Sequence, residues 1–292
     1  MIARSSNDGR LRLAVPNKGR LCQPASDLLE EAGVSFEADE RRLFASCRNY
    51  PIDLLFVRAE DIGEYTQDGV VDLGITGSNL LEERGVAVDR LLPLEFGHCA
   101  LQLAVPAGGG TERVSDLRGR VIATSHPRTT AAYLRREQVD AQIIEVRGAV
   151  EVAPLLGVAD AIVDLVSTGT TLATNGLRPL ETILESQAEL IATPALPPAR
   201  RELAQTVRLM LASVLAARQR KYLMMNAPAT AVEQIRQVLP GLGSPSVMQL
   251  ADPAMVAIHA VVDSQRIWDL LGPLRDAGAS SILVVPIEKM IP

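Results

Sequence analysis

The segment Asp164–Leu172, DLVSTGTTL, carries the strongest chemical signal in the chain. Ser167, Thr168, Gly169, Thr170 and Thr171 bring hydroxyls and a pliable backbone to a turn between an apolar run and a helix-forming stretch. Backbone N–H groups at a helix start, with the helix dipole behind them, make a site for an anion such as a phosphate monoester. Gly169 leaves room for phosphate oxygens beside the backbone. Asp164, at the end of the apolar run, could accept hydrogen bonds from ribose hydroxyls. The competing reading is a Ser/Thr-rich turn that only caps a helix. The segment is not a Walker A loop, since no Gly-Lys-Ser/Thr follows a glycine at the required spacing.

Three further segments could share that chemistry. Asn17-Lys18-Gly19-Arg20-Leu21 directly follows a strand-like run, where open α/β sheets bind ligands. Lys18 offers a point charge and Arg20 a planar fork for phosphate oxygens, or the two form a solvated basic turn. Arg58 follows IDLLFV at the same topological end and could reach the same cleft, or pair with Glu60 or Asp61. Asp72–Ser78 runs from a strand into small residues, including Thr76 and Gly77, that suit either a nucleotide or a tight strand–helix connection. His126 lies after a strand in TSHPR. Glu151, in VEVAP, could act as a base or hydroxyl acceptor, or simply start a helix. The three histidines have no metal-ligand spacing, and neither a nucleophile elbow nor a dinucleotide fingerprint occurs.

The elements that must position these residues alternate. Strands are expected at 11–15, 52–57, 70–75, 101–105, 121–123, 142–146 and 161–166, with helices at 24–33, from Leu80 with Ser78 as N-cap, and at 202–219. Alternation of this kind predicts an α/β protein with largely parallel sheets. TPALPPAR at 193–200 breaks regular structure, and Gly108–Gly110 forms a loop. Beyond residue 220 the order changes to strand 221–225, helix 230–238, strands 247–250 and 255–262, helix 265–276 with a kink or early break at Pro273, and strand 281–285. This β-α-β-β-α-β order is the ferredoxin-like plan.

Composition narrows the function classes. The 292 residues are 47% hydrophobic, 22% charged and 3% aromatic, with formal net charge −6. That describes a folded, multidomain protein rather than a disordered or collagen-like one. The acidic balance argues against a nucleic-acid coat and the lack of aromatics against base-stacking platforms. No run spans a bilayer, and the polar start lacks a secretion h-region. Three cysteines without CxxC spacing fit a reducing cytoplasm.

Taken in order, N-K-G-R-L (17–21), V-R-A-E-D-I (57–62), V-D-L-G-I-T-G (71–77), I-A-T-S-H-P (122–127), V-E-V-A-P (150–154) and D-L-V-S-T-G-T-T-L (164–172) resemble the catalytic half of the ATP phosphoribosyltransferase family. K-Y-L-M-M-N-A-P (221–228) and G-A-S-S-I-L-V-V-P-I-E-K-M (278–290) resemble the tail of its long, histidine-regulated form.

The resemblance implies a two-lobed fold of the periplasmic-binding-protein type II, with a C-terminal ferredoxin-like, ACT-like module. Lobe I would take residues 1–98 and 187–217, lobe II 99–186, and the histidine-binding module 218–292. It implies the reaction of ATP with 5-phosphoribosyl-1-pyrophosphate: adenine N1 attacks ribose C1 and pyrophosphate leaves, with Mg²⁺ arriving largely on the pyrophosphate. Ser167–Thr171 would grip the 5-phosphate and Asp164 the ribose hydroxyls. Lys18, Arg20 and Arg58 would neutralise pyrophosphate and triphosphate, with Glu151 assisting at the ribose or adenine. Thr76, Gly77 and His126 would contact the nucleotide, and Asn226, Leu242, Ser246 and the last strand would hold the inhibitor L-histidine. A homo-oligomer moving between dimer and hexamer is implied as well. Three other readings are a solute-binding protein of the same architecture, a regulatory subunit without catalysis, and a phosphoribosyltransferase for another base. The missing h-region and the paired phosphate motifs oppose the first. Retention of Lys18, Arg20, Arg58 and Asp164 opposes the second.

Overall fold

The computed structural model of the chain describes residues 9–37, 43–166, 170–239 and 244–291. Two units divide it, one of residues up to Glu30 with Val34–Arg208, the other of Glu31–Gly33 with Leu209 onward. That division falls inside a helix, nine residues before the expected start of the third module at 218.

The first unit contains two sheets. Into the first go β1 (Leu11–Pro16), β2 (Phe44–Ser46), β3 (Ile52–Val57), β4 (Leu73–Gly77) and β5 (Asp89–Pro93), with helices α1 (Cys22–Glu31), α2 (Ala59–Gln67) and α3 (Ser78–Arg84) between them. The chain then crosses to a second sheet of β6 (Cys99–Pro106), β7 (Val121–Thr124), β8 (Gln142–Glu145), β9 (Ala161–Val166) and β10 (Leu177–Ser186), with α4 (Pro127–Arg136) and α5 (Thr170–Thr174). It returns through Gln187 to β11 (Ala188–Ala192) in the first sheet and continues into α6 (Pro198–Arg218). The strand orders are β2-β3-β1-β4-β11-β5 and β10-β6-β9-β7-β8. This is the expected two-lobed α/β plan.

The sheets are mixed rather than largely parallel. β1 pairs in parallel with β3 and β4, and β7 with β8 and β9. β11 and β6, the strands that end each crossing, insert antiparallel beside β4 and β9. The crossings dictate this, because a strand arriving from the other lobe enters its sheet from the opposite end. The run expected as a strand from Val70 begins only at Leu73. Asp72 is engaged elsewhere, so Thr76 and Gly77 become strand residues opposite Glu189 and Ala188. All five residues of β4 are buried, as are Leu11, Leu13, Ala14 and Val15 of β1. Each such large apolar side chain contributes about 2 kcal/mol on burial.

Asp72 accepts from the Arg12 backbone N–H at 2.8 Å and from Arg200 Nη1 at 2.8 and 2.9 Å. The start of α6 is thereby tied to the first sheet. Pro198 opens this helix as its first residue, where a missing N–H costs nothing.

The second unit carries β12 (Arg220–Pro228), α7 (Val232–Val238), β13 (Ser246–Gln249), β14 (Met255–Asp263), α8 (Ile267–Asp276) and β15 (Ser280–Pro286), in sheet order β13-β14-β12-β15. All pairings are antiparallel, the ferredoxin-like arrangement. α8 runs through Pro273 to Asp276 and does not break early. Its core includes Leu223, Met225, Ile235, Ile258, Leu270 and Leu274. Among the described residues no helix is long and apolar enough to cross a membrane.

Candidate active site between the two lobes

The parallel pairing of β1 and β3 brings two basic segments to one end of the first sheet. Pro16 lies opposite Val57, and the Asn17 N–H donates to the Val57 carbonyl at 2.8 Å. The loop 17–21 and Arg58 therefore leave the sheet side by side. Lys18 is exposed. Arg58 occupies the N-cap position of α2 in an extended conformation and pairs with Glu60 at 3.4 Å. Both partners are largely solvated, so that pair is weak. Arg20 reaches across to lobe II, where its Nη2 donates to Cys99 Sγ at 2.7 Å.

Lobe II presents its carboxylates at the end of β9. Burial pushes the Asp164 carboxyl up from its ordinary value; the Leu165 N–H on Oδ1 at 2.8 Å works against this, and the charge of Glu151 adds to it. Asp164 and Glu151, 13 residues apart in sequence, are thus electrostatic neighbours, brought together by packing of the 150–152 turn on β9. Ser167, Thr168 and Gly169 lie outside the described residues. α5 opens at Thr170, Thr171 is exposed, and buried Leu172 anchors the helix.

A buried polar seam joins the lobes. Ser78 Oγ donates to Ser186 Oγ at 3.0 Å, Ser186 Oγ donates to Asn79 Oδ1 at 2.8 Å, and the Asn79 N–H returns to Ser186 Oγ at 3.0 Å. Asn79 Nδ2 then donates to His126 Nε2 at 3.3 Å, which leaves Nδ1 to carry the proton toward Ser125 Oγ at 3.0 Å. Burial is the main reason the His126 imidazole is held below its ordinary value, with Glu83 opposing and Arg20 assisting. Glu83 of α3 caps α4 from the other lobe. Its carboxylate accepts from the Arg128 and Thr129 N–H groups, both at 2.9 Å, and from Thr129 Oγ1 at 2.8 Å.

This geometry revises one expectation. Ser78 is not an N-cap; Gly77 holds that position, and the Ser78 hydroxyl belongs to the seam. The Thr76 hydroxyl is buried and donates to the Ala59 carbonyl at 2.6 Å, bracing α2 on β4. His126 is 6% exposed with both ring nitrogens engaged inside the protein. Gly77 is buried beside Asn79 and Leu21. Asn79, Glu83, Cys99 and Ser186 carry no local motif. Their partners lie 45 to 108 residues away, and only the crossings reveal them.

In the second unit, Asn226 of β12 pairs with Ala257 and Ser280, and its carbonyl accepts from Ser280 Oγ at 3.3 Å. Ser246 opens β13 opposite His259, whose Nδ1 meets Tyr222 OH at 2.9 Å. Leu242 lies outside the described residues. Among the described residues no group of three or more His, Cys, Asp or Glu side chains could hold a metal.

Two family models match the chain, ATP phosphoribosyltransferase over residues 58–213 and the HisG C-terminal domain over residues 217–289. An ATP phosphoribosyltransferase of Methanosarcina barkeri is 43% identical over 289 residues, covering 97% of this chain and 100% of that protein. One of Methanothermobacter thermautotrophicus is 42% identical over 286 residues, with the same coverage. A chain of the ATP phosphoribosyl transferase (HisG:HisZ) complex from Thermotoga maritima superposes with TM-score 0.60 at 30% identity, covering 69% of this chain and 96% of that one.

Proposed function

The chain belongs to the ATP phosphoribosyltransferase family, the pentosyltransferases that open histidine biosynthesis, and on that footing we propose its substrates, mechanism and control. The enzyme joins ATP to 5-phosphoribosyl-1-pyrophosphate. N1 of adenine attacks C1 of the ribose, and N1-(5-phosphoribosyl)-ATP and pyrophosphate are released. The observation that carries this reading is the reach of Arg20 from the end of β1 to the first residue of lobe II, with Arg58 on the adjacent strand end. Cations so placed meet the charge that grows on the leaving pyrophosphate and favour the transition state over the ground state. Lys18 adds a third positive group at the same sheet end.

Asp164 accepts the ribose hydroxyls, and Glu151 beside it orients the ribose or the adenine amino group. Ser167–Thr171 hold the 5-phosphate. Adenine N1 is already nucleophilic, so the protein's task is orientation and charge, not proton abstraction. The donor set suits Mg²⁺ carried in by pyrophosphate: two neighbouring carboxylates can bind the metal's waters without caging it. The ion supplies further neutralisation of the leaving group.

L-histidine inhibits through the ferredoxin-like unit, near Asn226, Ser246 and Leu242, by preferring an inactive assembly. Exposed Val247, Met248, Leu283, Val284 and Val285 on its edge strands support a homo-oligomer, dimer or hexamer. We place the enzyme in the cytoplasm, as its biosynthetic role suggests.

Adduct absorbance tests the reading. ATP, 5-phosphoribosyl-1-pyrophosphate and Mg²⁺ are mixed with the enzyme, with and without L-histidine. Failure to form adduct at any enzyme concentration overturns the catalytic assignment; adduct formation indifferent to millimolar histidine overturns only the regulatory one.

A further inference from the structure

We propose that Cys99 is a positioning residue for the reaction: its sulfur holds the Arg20 guanidinium across the cleft until the pyrophosphate group takes it over. The inference rests on the assignment of Arg20 to the leaving group.

The geometry has two parts. Arg20 Nη2 donates to Cys99 Sγ at 2.7 Å, and Cys99, at 8% exposure, is the first residue of β6. The neighbouring Leu21 is buried and lies over Gly97, where a Cβ would overlap its Cδ2. One loop of lobe I is thus seated at consecutive points, Leu21 on Gly97 and Arg20 on Cys99, against the segment that crosses into lobe II. The Arg20 charge is also felt at His126, on the lobe II side.

The chemistry of sulfur explains why this acceptor suits the task. A thiol is a weak acceptor, and phosphate oxygens are strong, charged ones. A carboxylate at position 99 would form an ion pair with Arg20 and compete with substrate. An aliphatic group would offer the guanidinium no acceptor at this point. A thiol aligns the fork and yields it easily when the polyanion arrives, so little binding energy is lost to breaking the resting contact.

The test is a double-mutant cycle on the full-length enzyme. Cys99→Ala, Cys99→Ser and Cys99→Asp are measured alone, and Cys99→Ala also with Arg20→Ala, following kcat and KM for both substrates and calorimetric binding of pyrophosphate with Mg²⁺. Cys99→Ala is expected to lower kcat/KM for the phosphoribosyl substrate roughly tenfold, the scale of one charged hydrogen bond, while KM for ATP stays within about twofold. Cys99→Ser should restore most of the loss. Cys99→Asp should weaken pyrophosphate binding more than Cys99→Ala does. In the Arg20→Ala background, Cys99→Ala should cost nothing more. An equal loss in both backgrounds, or no loss in Cys99→Ala, overturns the role of Cys99 while leaving that of Arg20 intact. If Arg20→Ala itself retains normal turnover and pyrophosphate binding, the assignment of Arg20 falls first and this proposal with it.

Discussion

Asn79 of lobe I donates its side-chain amide to Nε2 of His126 in lobe II at 3.3 Å. The bond works only while that nitrogen is unprotonated, because an imidazolium offers no acceptor. This contact between the two lobes is therefore coupled to the charge state of one buried ring.

The coupling has a definite sign. Burial lowers the folded-state pKa of His126 below its unfolded value of about 6.5. The unfolded chain then binds more protons in that window, so stability from this ring is complete above about pH 6.5 and is lost as pH falls through the lowered folded value. Thermal melting of the wild type should show a downward slope toward acid below pH 6.5 that His126→Gln reduces. Asn79→Ala should cost about 1–3 kcal/mol at pH 7.5, since it removes the acceptor of the Ser186 hydroxyl proton and the donor to His126 Nε2. Equal acid slopes in wild type and His126→Gln would refute the coupling.

Glu151 raises the pKa of Asp164 by its negative charge, second to burial among the raising effects. Replacing it with Gln removes that repulsion, so the acid limb of kcat/KM should move to lower pH while the plateau falls. The full pH profile of Glu151→Gln against wild type measures both. Asp164→Asn should be slower still but more heat-stable at neutral pH, because it relieves burial of a charge whose folded pKa is raised.

Arg200 Nη1 donates to both carboxylate oxygens of Asp72, and the two side chains are 16% and 4% exposed. Removing one partner leaves a buried charge, so Asp72→Ala should lower unfolding free energy by about 3–5 kcal/mol. Urea denaturation reads this, and the joint replacement Asp72→Leu with Arg200→Met should recover only part of it, because the Arg12 N–H still lacks its acceptor.

Gly97 has φ +67 and sits under Leu21. Gly97→Ala is strained in both respects, with a side chain in left-handed backbone and a Cβ against Leu21. A cost of about 1–3 kcal/mol is expected. The displaced 17–21 loop should lower kcat more than it changes KM for ATP, as steady-state kinetics would show.

Much of this was legible in the chain. The runs at Leu11, Ile52 and Ala161 are apolar but for Arg12, Asp53 and Asp164, their residues are buried or half-buried, and such runs advertise themselves. The ferredoxin-like order beyond residue 220 was readable for a similar reason, through short alternating strands separated by helical periods. β5, β10 and β11 were not. β10 is mostly half-buried or exposed, with Pro179 within it, and its identity comes from pairing with β6. Thr76 read as a turn residue because its neighbours are small; burial of all of β4 converts the same residues into a strand.

By itself the amino-acid order determined the alternation of elements and the set of cations, carboxylates and hydroxyls that the chemistry requires, since these depend on neighbours within a few positions. Only the tertiary structure decided which of them meet. Arg20 finds Cys99 79 residues on, Asn79 finds His126 47 residues on, and Ser78 finds Ser186 108 residues on. Such contacts leave no local periodicity. They exist because the chain crosses twice between lobes, and burying polar groups at those crossings is stable only when each one finds a partner.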